Sequence, residues 1–160
     1  MLKNCTVIEG NLQVMFMFNN VDASNYTAVV LPDLVEITGY LLMYRVNGLS
    51  SLGQIFPNLR VIRGKSVFYS LSLALYEMED LVSISLRNLT YLGSGVLAMQ
   101  NPQLCYIETV NWRTILREEQ SVTRFGNRNT AGCNLVEDCS AAGSKCAHCW
   151  DMDSCQKGMY

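Results

Sequence analysis

Short apolar runs alternate with turn residues along most of the chain, and they recur at intervals of similar length. Three segments each place an aliphatic residue, a polar residue and a glycine before a strand-like run: residues 8–12, 37–41 and 62–67. Residues 92–97 form a looser fourth copy. Such a pattern is typical of a solenoid, in which one short strand per turn stacks on the next around a continuous aliphatic core.

The segments between these copies also favour strands over helices. Residues 31–34 (LPDL) and 56–59 (FPNL) precede the second and third copies, and in each the proline fixes φ while the Asp or Asn turns the chain into the next strand. Residues 41–46 and 67–75 are short runs rich in β-branched and aromatic side chains, bounded by Gly, Asn or Ser. We therefore predict a mainly β fold.

One segment has the periodicity of a helix instead. Trp112, Ile115 and Leu116 fall on one helical face, with charged residues elsewhere, and Asn111 is a candidate N-cap. We predict that this helix closes one end of the solenoid.

Composition narrows the class of protein. The chain has 160 residues, of which 49% are hydrophobic, and this suits one domain with a substantial core and a small appendage. The net charge of -2 without a basic stripe argues against nucleic acid as a partner.

The longest apolar runs, such as residues 14–18, are far shorter than the roughly 18 to 20 residues that cross a bilayer. Residues 1–3 lack the features of a secretory signal, so we expect the N-terminus to be a truncated end.

The seven cysteines are unevenly placed. Cys5 and Cys105 stand far apart, and Cys133, Cys139, Cys146, Cys149 and Cys155 crowd the last 28 positions, where the chain becomes small and polar. We place a domain boundary near Cys133. The crowded cysteines predict either a disulfide module or a zinc site around Cys146, His148 and Cys149, and the single C-x2-C pair and single histidine disfavour zinc. Spacing alone does not select a disulfide pairing, and the odd count leaves Cys5 as the unpaired thiol.

Three sequons begin at Asn4, Asn25 and Asn88, and each is a glycan acceptor in a secreted protein. In a chain this rich in Asn, Ser and Thr about two sequons are expected by chance, so they only favour an extracellular route.

Enzymatic interpretations lack structural context. Residues 93–98 fit a loose dinucleotide-binding pattern, but their glycines fall at a repeat turn rather than between a strand and a helix. His148 has no nearby nucleophile or orienting acid, and residues 118–119 are best explained as a solvated helix face. We therefore predict a non-catalytic protein without a cofactor or a metal.

Several strings resemble the first L domain of the insulin receptor family. They are residues 4–10 (NCTVIEG), 40–42 (YLL), 48–52 (GLSSL), 56–64 (FPNLRVIRG) and 104–106 (LCY). The resemblance covers residues 4 to about 133, and residues 149–150 and 155–157 resemble the opening of the furin-like cysteine-rich region that follows in that family. The epidermal growth factor receptor family is a weaker match, based on residues 101–105 and the region around Trp112.

The resemblance implies a right-handed β-helix, also described as a leucine-rich-repeat-like solenoid. Residues 1–133 would be a receptor L domain that is truncated at its N-terminus, and 134–160 would be the truncated start of the furin-like region. The implied disulfides join Cys105 to Cys133, Cys139 to Cys149 and Cys146 to Cys155, and Cys5 would pair with a cysteine upstream.

The resemblance also implies a function. The chain would be an extracellular ligand-binding module of a receptor tyrosine kinase, at the cell surface or secreted, with the membrane span and kinase downstream of residue 160. Its partners would be an insulin-like peptide hormone, the rest of the receptor ectodomain and a second protomer. The residues that the resemblance assigns to hormone binding are Gln13, Met15, Phe16, Phe18, Tyr44, Arg45, Phe68 and Tyr69.

These residues cannot all face outward from a regular strand. Alternation puts Phe16 and Phe18 on the face opposite Met15 and Met17, so the assignment predicts a bulge or other irregularity. Without the resemblance, residues 15–18 would be interpreted as a core strand. With it, we expect an exposed patch that includes Phe18, Tyr44 and Phe68.

Other functions remain open at this point. The chain could be an epidermal growth factor receptor-like L domain, a secreted decoy, a structural or adhesive solenoid that binds no hormone, or an intracellular zinc protein. Leu71 stands where close relatives carry an aromatic residue, and Ala98 lies near a position that is basic in them. These departures leave the identity of the ligand open.

Overall fold

The computed structural model describes residues 4–17, 29–117, 120–133, 148–151 and 154–156. Within these ranges, two parallel sheets run side by side along a solenoid. The short sheet has the order β1–β3–β5–β7, and the long sheet has the order β2–β4–β6–β8–β9. Each turn of the chain contributes one strand to the short sheet and then one strand to the long sheet, which confirms the predicted mainly β solenoid.

The strand bounds show this alternation. The strands of the short sheet are β1 (Val7–Ile8), β3 (Glu36–Ile37), β5 (Val61–Ile62) and β7 (Tyr91–Leu92). The strands of the long sheet are β2 (Leu12–Met17), β4 (Leu41–Val46), β6 (Leu71–Tyr76), β8 (Gly95–Met99) and β9 (Val122–Phe125). Two further strands, β10 (Cys149–Asp151) and β11 (Ser154–Cys155), form an antiparallel hairpin.

The core consists of columns of aliphatic side chains at equivalent positions of successive turns. On the short sheet, Ile8 pairs with Ile37, Ile37 with Ile62, and Ile62 with Leu92. On the long sheet, one such column begins at Leu12 and continues through Leu41, Leu73, Val96 and Val122. The members of these columns in the middle turns are fully buried. Burial of this apolar area is the main favourable term for the fold.

The repeated glycines have two different structural reasons. Gly10 and Gly64 have φ of +102° and +64°, which favours glycine. At Gly39 and Gly93 the neighbouring turn comes too close for a side chain. A Cβ at Gly93 would lie 1.8 Å from the carbonyl oxygen of Arg63, and one at Gly39 would lie 2.0 Å from Asn11 Oδ1.

The predicted helix near residue 112 is only one 3₁₀ turn, Trp112–Thr114. The prediction that Asn111 caps it is wrong, because its side chain makes no capping hydrogen bond. The reason is competition from neighbouring backbone. Leu92 N–H donates to Ile115 O at 2.6 Å, and Leu116 forms a parallel bridge with Leu92. The segment therefore adds a further rung to the short sheet in place of the predicted helix, and that it closes an end of the solenoid stays a prediction.

The described part of the tail packs against the solenoid. Trp150 is 1% exposed and lies edge-on to Trp112, with ring centroids 5.9 Å apart. The Asp151 carboxylate accepts hydrogen bonds from Ser85 and Arg87 of the loop before β7 and from Ser154 of its own hairpin. The domain boundary near Cys133 remains a prediction.

The cysteine chemistry agrees with an oxidised protein. Cys105 and Cys133 form the predicted disulfide, with Cα atoms 5.7 Å apart. Cys149 and Cys155 each take part in a disulfide, which leaves neither thiolate for zinc. Their predicted partners, Cys139 and Cys146, lie outside the described residues, so those two pairings remain predictions. Cys5 is a free thiol. In the described ranges, no group of three potential ligands is arranged for a metal, and no helix has the length and apolarity to cross a bilayer.

Replacement of Gly93 by alanine tests the close approach of adjacent turns. We expect Gly93→Ala to lower the free energy of unfolding by about 3 kcal/mol, because the new Cβ meets backbone rather than a movable side chain. Gly132→Ala is the matched control, since its Cβ would meet only the Arg128 side chain at 3.3 Å, and we expect a change within about 0.5 kcal/mol. Urea denaturation measures both, and equal destabilisation would contradict the explanation.

Candidate functional site

A row of left-handed residues crosses the long sheet at its C-terminal edge. The members are Phe16, Arg45, Glu77, Gln100 and Gly126, with φ of 59°, 50°, 50°, 56° and 67°. Each follows a residue that is paired in register with its equivalent in the next turn: Met15 with Tyr44, Tyr44 with Tyr76, Tyr76 with Met99, and Met99 with Phe125. A left-handed residue therefore recurs near the C-terminal end of every strand of this sheet, inside β2 and β4 and directly after β6, β8 and β9.

The left-handed row breaks the alternation of side chains. In β2, Met15 and Phe16 are consecutive, yet they are 40% and 52% exposed, while Met17 packs on the core. This confirms the irregularity that the sequence required, and it lies at Phe16. We call the resulting surface the outer face, meaning the solvent side of β2, β4, β6, β8 and β9.

Aromatic rings are stacked along the outer face. Tyr44 lies between Phe16, in an edge contact with centroids 5.0 Å apart, and Tyr76, which is stacked on it at 5.1 Å with an interplanar angle of 8°. The guanidinium carbon of Arg45 lies 5.1 Å from the centre of the Tyr44 ring. These contacts hold three aromatic side chains and one cation in fixed positions on a rigid sheet.

Charge on this face is balanced locally. Arg45 forms an ion pair with Glu77 in the next turn. The pKa of Glu77 is lowered from its ordinary value, first by the hydrogen bond from the Tyr76 hydroxyl and then by that from Arg45, against an opposing effect of desolvation. The same contacts raise the pKa of Tyr76 and of Arg45. The outer face therefore presents a cation whose counter-charge is already in place.

A second aromatic group lies beside the first. Phe68 and Leu71 exchange two backbone hydrogen bonds of 3.0 and 2.9 Å around Tyr69 and Ser70, which have φ of 48° and 66°. This is a two-residue turn of the type I′ class, which normally favours Asn and Gly. It leaves Tyr69 86% exposed at its tip. The Phe68 ring, in turn, lies 5.8 Å from that of Tyr40.

The predicted binding residues converge on this region. Gln13, Met15, Phe16, Tyr44 and Arg45 lie on the outer face, and Gln13 donates to the Tyr40 hydroxyl. Phe68 and Tyr69 lie on the adjoining turn. Phe18 lies outside the described residues. Whether any of these residues contacts a ligand stays a prediction.

Sequence reasoning missed other residues of the same face. They are Tyr40, Leu42, Tyr76, Glu77, Met99 and Phe125, of which Phe125 is 69% exposed. The repeat could have identified three of them from the sequence, because Tyr76, Met99 and Phe125 occupy the position of Tyr44 in later turns. Leu71 packs against this face, whereas Ala98 is buried in the core and takes no part in it.

Comparison with known proteins identifies the fold family. The model of the receptor L domain family matches residues 4–116. The chain therefore belongs to the receptor L domain family.

The relatives define the group within that family. A putative molluscan insulin-related peptide receptor of Lymnaea stagnalis is 43% identical over 160 residues, covering 99% of this chain and 10% of that protein. The insulin receptor and the insulin-like growth factor 1 receptor of Xenopus laevis are 39% and 37% identical, each covering 98% of this chain and 12% of the receptor. The chain spans about a tenth of the length of these relatives. The resemblance to the insulin receptor family is confirmed, and the chain is an extracellular receptor region rather than an enzyme.

Titration of Glu77 tests the local charge balance. Because its folded-state pKa is lowered, the stability that this carboxylate contributes is present above pH 4.5, and it is lost as the pH falls through the lowered pKa. Tyr76→Phe removes the larger cause and Arg45→Ala the next, so we expect each to raise the pKa of Glu77 toward 4.5. The pH dependence of the ¹³C shift of the carboxyl carbon measures this, and an unchanged midpoint in both variants would contradict it.

Proposed function

We propose that the chain binds an insulin-like peptide hormone through its outer face, as part of the ectodomain of a cell-surface receptor. In this proposal the rest of the receptor and a second protomer complete the hormone site, and a tyrosine kinase elsewhere in the receptor carries the signal. The relatives named as receptors for insulin and insulin-related peptides support this class of ligand.

The observation that carries the proposal is the stacked aromatic row Phe16–Tyr44–Tyr76 on a solvent-facing sheet. Aromatic side chains dominate the energy of protein interfaces because they bury large areas and lose little conformational freedom. Here the rings are already ordered by their neighbours, so binding would cost little additional entropy. A face that existed only to be solvated would carry polar side chains at these positions.

The short sheet offers an internal comparison. Its solvent side presents Val7, Glu36, Val61 and Tyr91 at paired positions, and Glu36 is held by Arg63 of the next turn. That surface is mixed and contains one aromatic ring among the four positions. The contrast between two sides of the same solenoid supports the outer face as the binding surface.

The Arg45–Glu77 pair favours a ligand that is largely apolar at the point of contact. Arg45 is a common type of interface anchor, but its charge is already balanced, so a partner gains contact with the guanidinium plane without having to supply a carboxylate. The hydrophobic surface of a small peptide hormone fits this arrangement.

A chimaeric receptor tests the proposal, since the chain alone would lack any segment of the receptor that completes the site. Residues 4–156 would replace the matching region of the Xenopus insulin receptor ectodomain, and the probes would be insulin, insulin-like growth factor 1 and a molluscan insulin-related peptide. We expect Tyr44→Ala to weaken binding of at least one probe by on the order of tenfold to a hundredfold.

Tyr91→Ala in the same chimaera is the matched control. Tyr91 is a tyrosine on a strand of the same solenoid, 37% exposed, but on the short sheet. We expect its removal to change affinity less than twofold. A secreted, disulfide-bonded chimaera that binds no probe, or equal effects of the two variants, would favour a structural or decoy solenoid.

Tyr69 separates binding from stability. A tyrosine at φ of 48° is strained, and Asn tolerates this conformation better. We expect Tyr69→Asn to leave the free energy of unfolding unchanged or to raise it by about 0.5 to 1 kcal/mol. We expect the same substitution to weaken hormone binding about tenfold. Thermal melting and hormone titration of the chimaera measure the two effects, with Tyr69→Phe as the variant that retains the ring. Unchanged affinity in Tyr69→Asn would exclude this residue from the site.

A further inference from the structure

The Asn88 sequon lies in a ladder of side chains that joins successive turns. Residues 31–34, 56–59 and 86–89 enter their strands in the same way, and the leucine that ends each segment, Leu34, Leu59 or Leu89, is buried. Asn58 Nδ2 donates to Pro32 O at 2.8 Å, and Asn88 Nδ2 donates to Pro57 O at the same distance. Asn88 therefore repeats, one turn later, the bond that Asn58 makes.

Both polar side chains of this sequon are engaged with the preceding turn. Asn88 Nδ2 also lies 3.4 Å from Asn58 Oδ1, so two acceptors share the two hydrogens of the amide. The Thr90 hydroxyl donates to Arg60 O at 3.2 Å. The Asn88 side chain is half-buried, whereas Asn4 of the first sequon is exposed and makes no hydrogen bond with the described part of the chain.

N-glycosylation acts on the same atom. The transfer forms a bond from Nδ2 to C1 of the sugar, breaks the C1–O bond to the pyrophosphate of the lipid-linked oligosaccharide donor, and releases one amide proton. The modified nitrogen retains one hydrogen, and the sugar must occupy the direction of the other. At Asn88 one direction holds the carbonyl of Pro57 and the other holds Asn58.

We infer that Asn88 is a structural rung of the solenoid and carries no N-glycan in the folded, secreted protein. The transferase acts on the unfolded chain, so a glycan attached there prevents the third and fourth turns from closing, and such molecules are retained by the cell. The three sequons are therefore not equivalent, and the inference holds for Asn88 whether or not the chain binds a hormone.

Site-specific occupancy in the secreted and retained pools tests this. The 160-residue chain, secreted from eukaryotic cells behind a heterologous signal, would be treated with peptide-N-glycosidase F in H₂¹⁸O, which converts each glycosylated Asn to labelled Asp, and mapped by mass spectrometry. We expect Asn88 to be unmodified in the secreted pool, with any Asn88 glycan confined to retained protein. An occupied Asn88 in secreted protein that contains the Cys105–Cys133 disulfide would overturn the inference.

Two variants separate the amide from the sequon. Thr90→Ala removes the sequon and the exposed hydrogen bond from Thr90 to Arg60 O, but it leaves the Asn88 amide in place. We therefore expect unchanged mass at Asn88 and a melting temperature within about 2 °C of the parent. Asn88→Ala removes the rung, and we expect a melting temperature lower by about 2 to 4 °C, or loss of secretion. If a glycan at Asn88 were what supports folding, Thr90→Ala would reduce secretion as much as Asn88→Ala does.

Discussion

The whole molecule depends on the in-register stacking of one turn on the next. Parallel pairing places equivalent residues of successive turns side by side, from Ile8 to Leu92 on the short sheet and from Leu12 to Val122 on the long sheet. Side chains that share a property at one position of the repeat therefore form a row along the solenoid. Aliphatic positions become the core, and the asparagines Asn58 and Asn88 become a hydrogen-bonded ladder. The left-handed positions become an edge at which consecutive side chains point outward.

This constraint explains why the candidate site is flat, aromatic and pre-arranged. A stack of parallel strands spaces equivalent side chains about 4.8 Å apart, which is close to the contact distance of aromatic rings. Tyr44 and Tyr76 therefore stack simply because both occupy the same position of their turns, and their centroids are 5.1 Å apart. The ion pair of Arg45 and Glu77 arises in the same way one position later. The aromatic outer face thus results from the repeat combined with the choice of side chains at two of its positions.

The sequence predicted the repeat and the class of fold because both depend on patterns that recur, the aliphatic–polar–glycine motif above all. It did not predict the left-handed row, because Phe16, Arg45, Glu77 and Gln100 have no preference for that conformation and adopt it only under the constraint of stacking. Tyr76 and Phe125 were not predicted to lie on the outer face, because the alternation of a regular strand assigns apolar residues to the core. In the segment after Asn111 the sequence pattern predicted a helix that does not form. Hydrogen bonds to the neighbouring backbone make this segment another rung of the short sheet instead.

The packing of the tail on the solenoid has an optical consequence. The two tryptophans of the chain, Trp112 and Trp150, are both buried and lie against each other. Emission excited selectively from indole therefore reports on the junction where hairpin β10–β11 meets the solenoid, and it is blind to the outer face, whose chromophores are tyrosine and phenylalanine. Detachment of the tail would shift this emission to longer wavelength while the sheets remained intact, whereas occupation of the outer face would leave it unaltered and change the tyrosine signal instead.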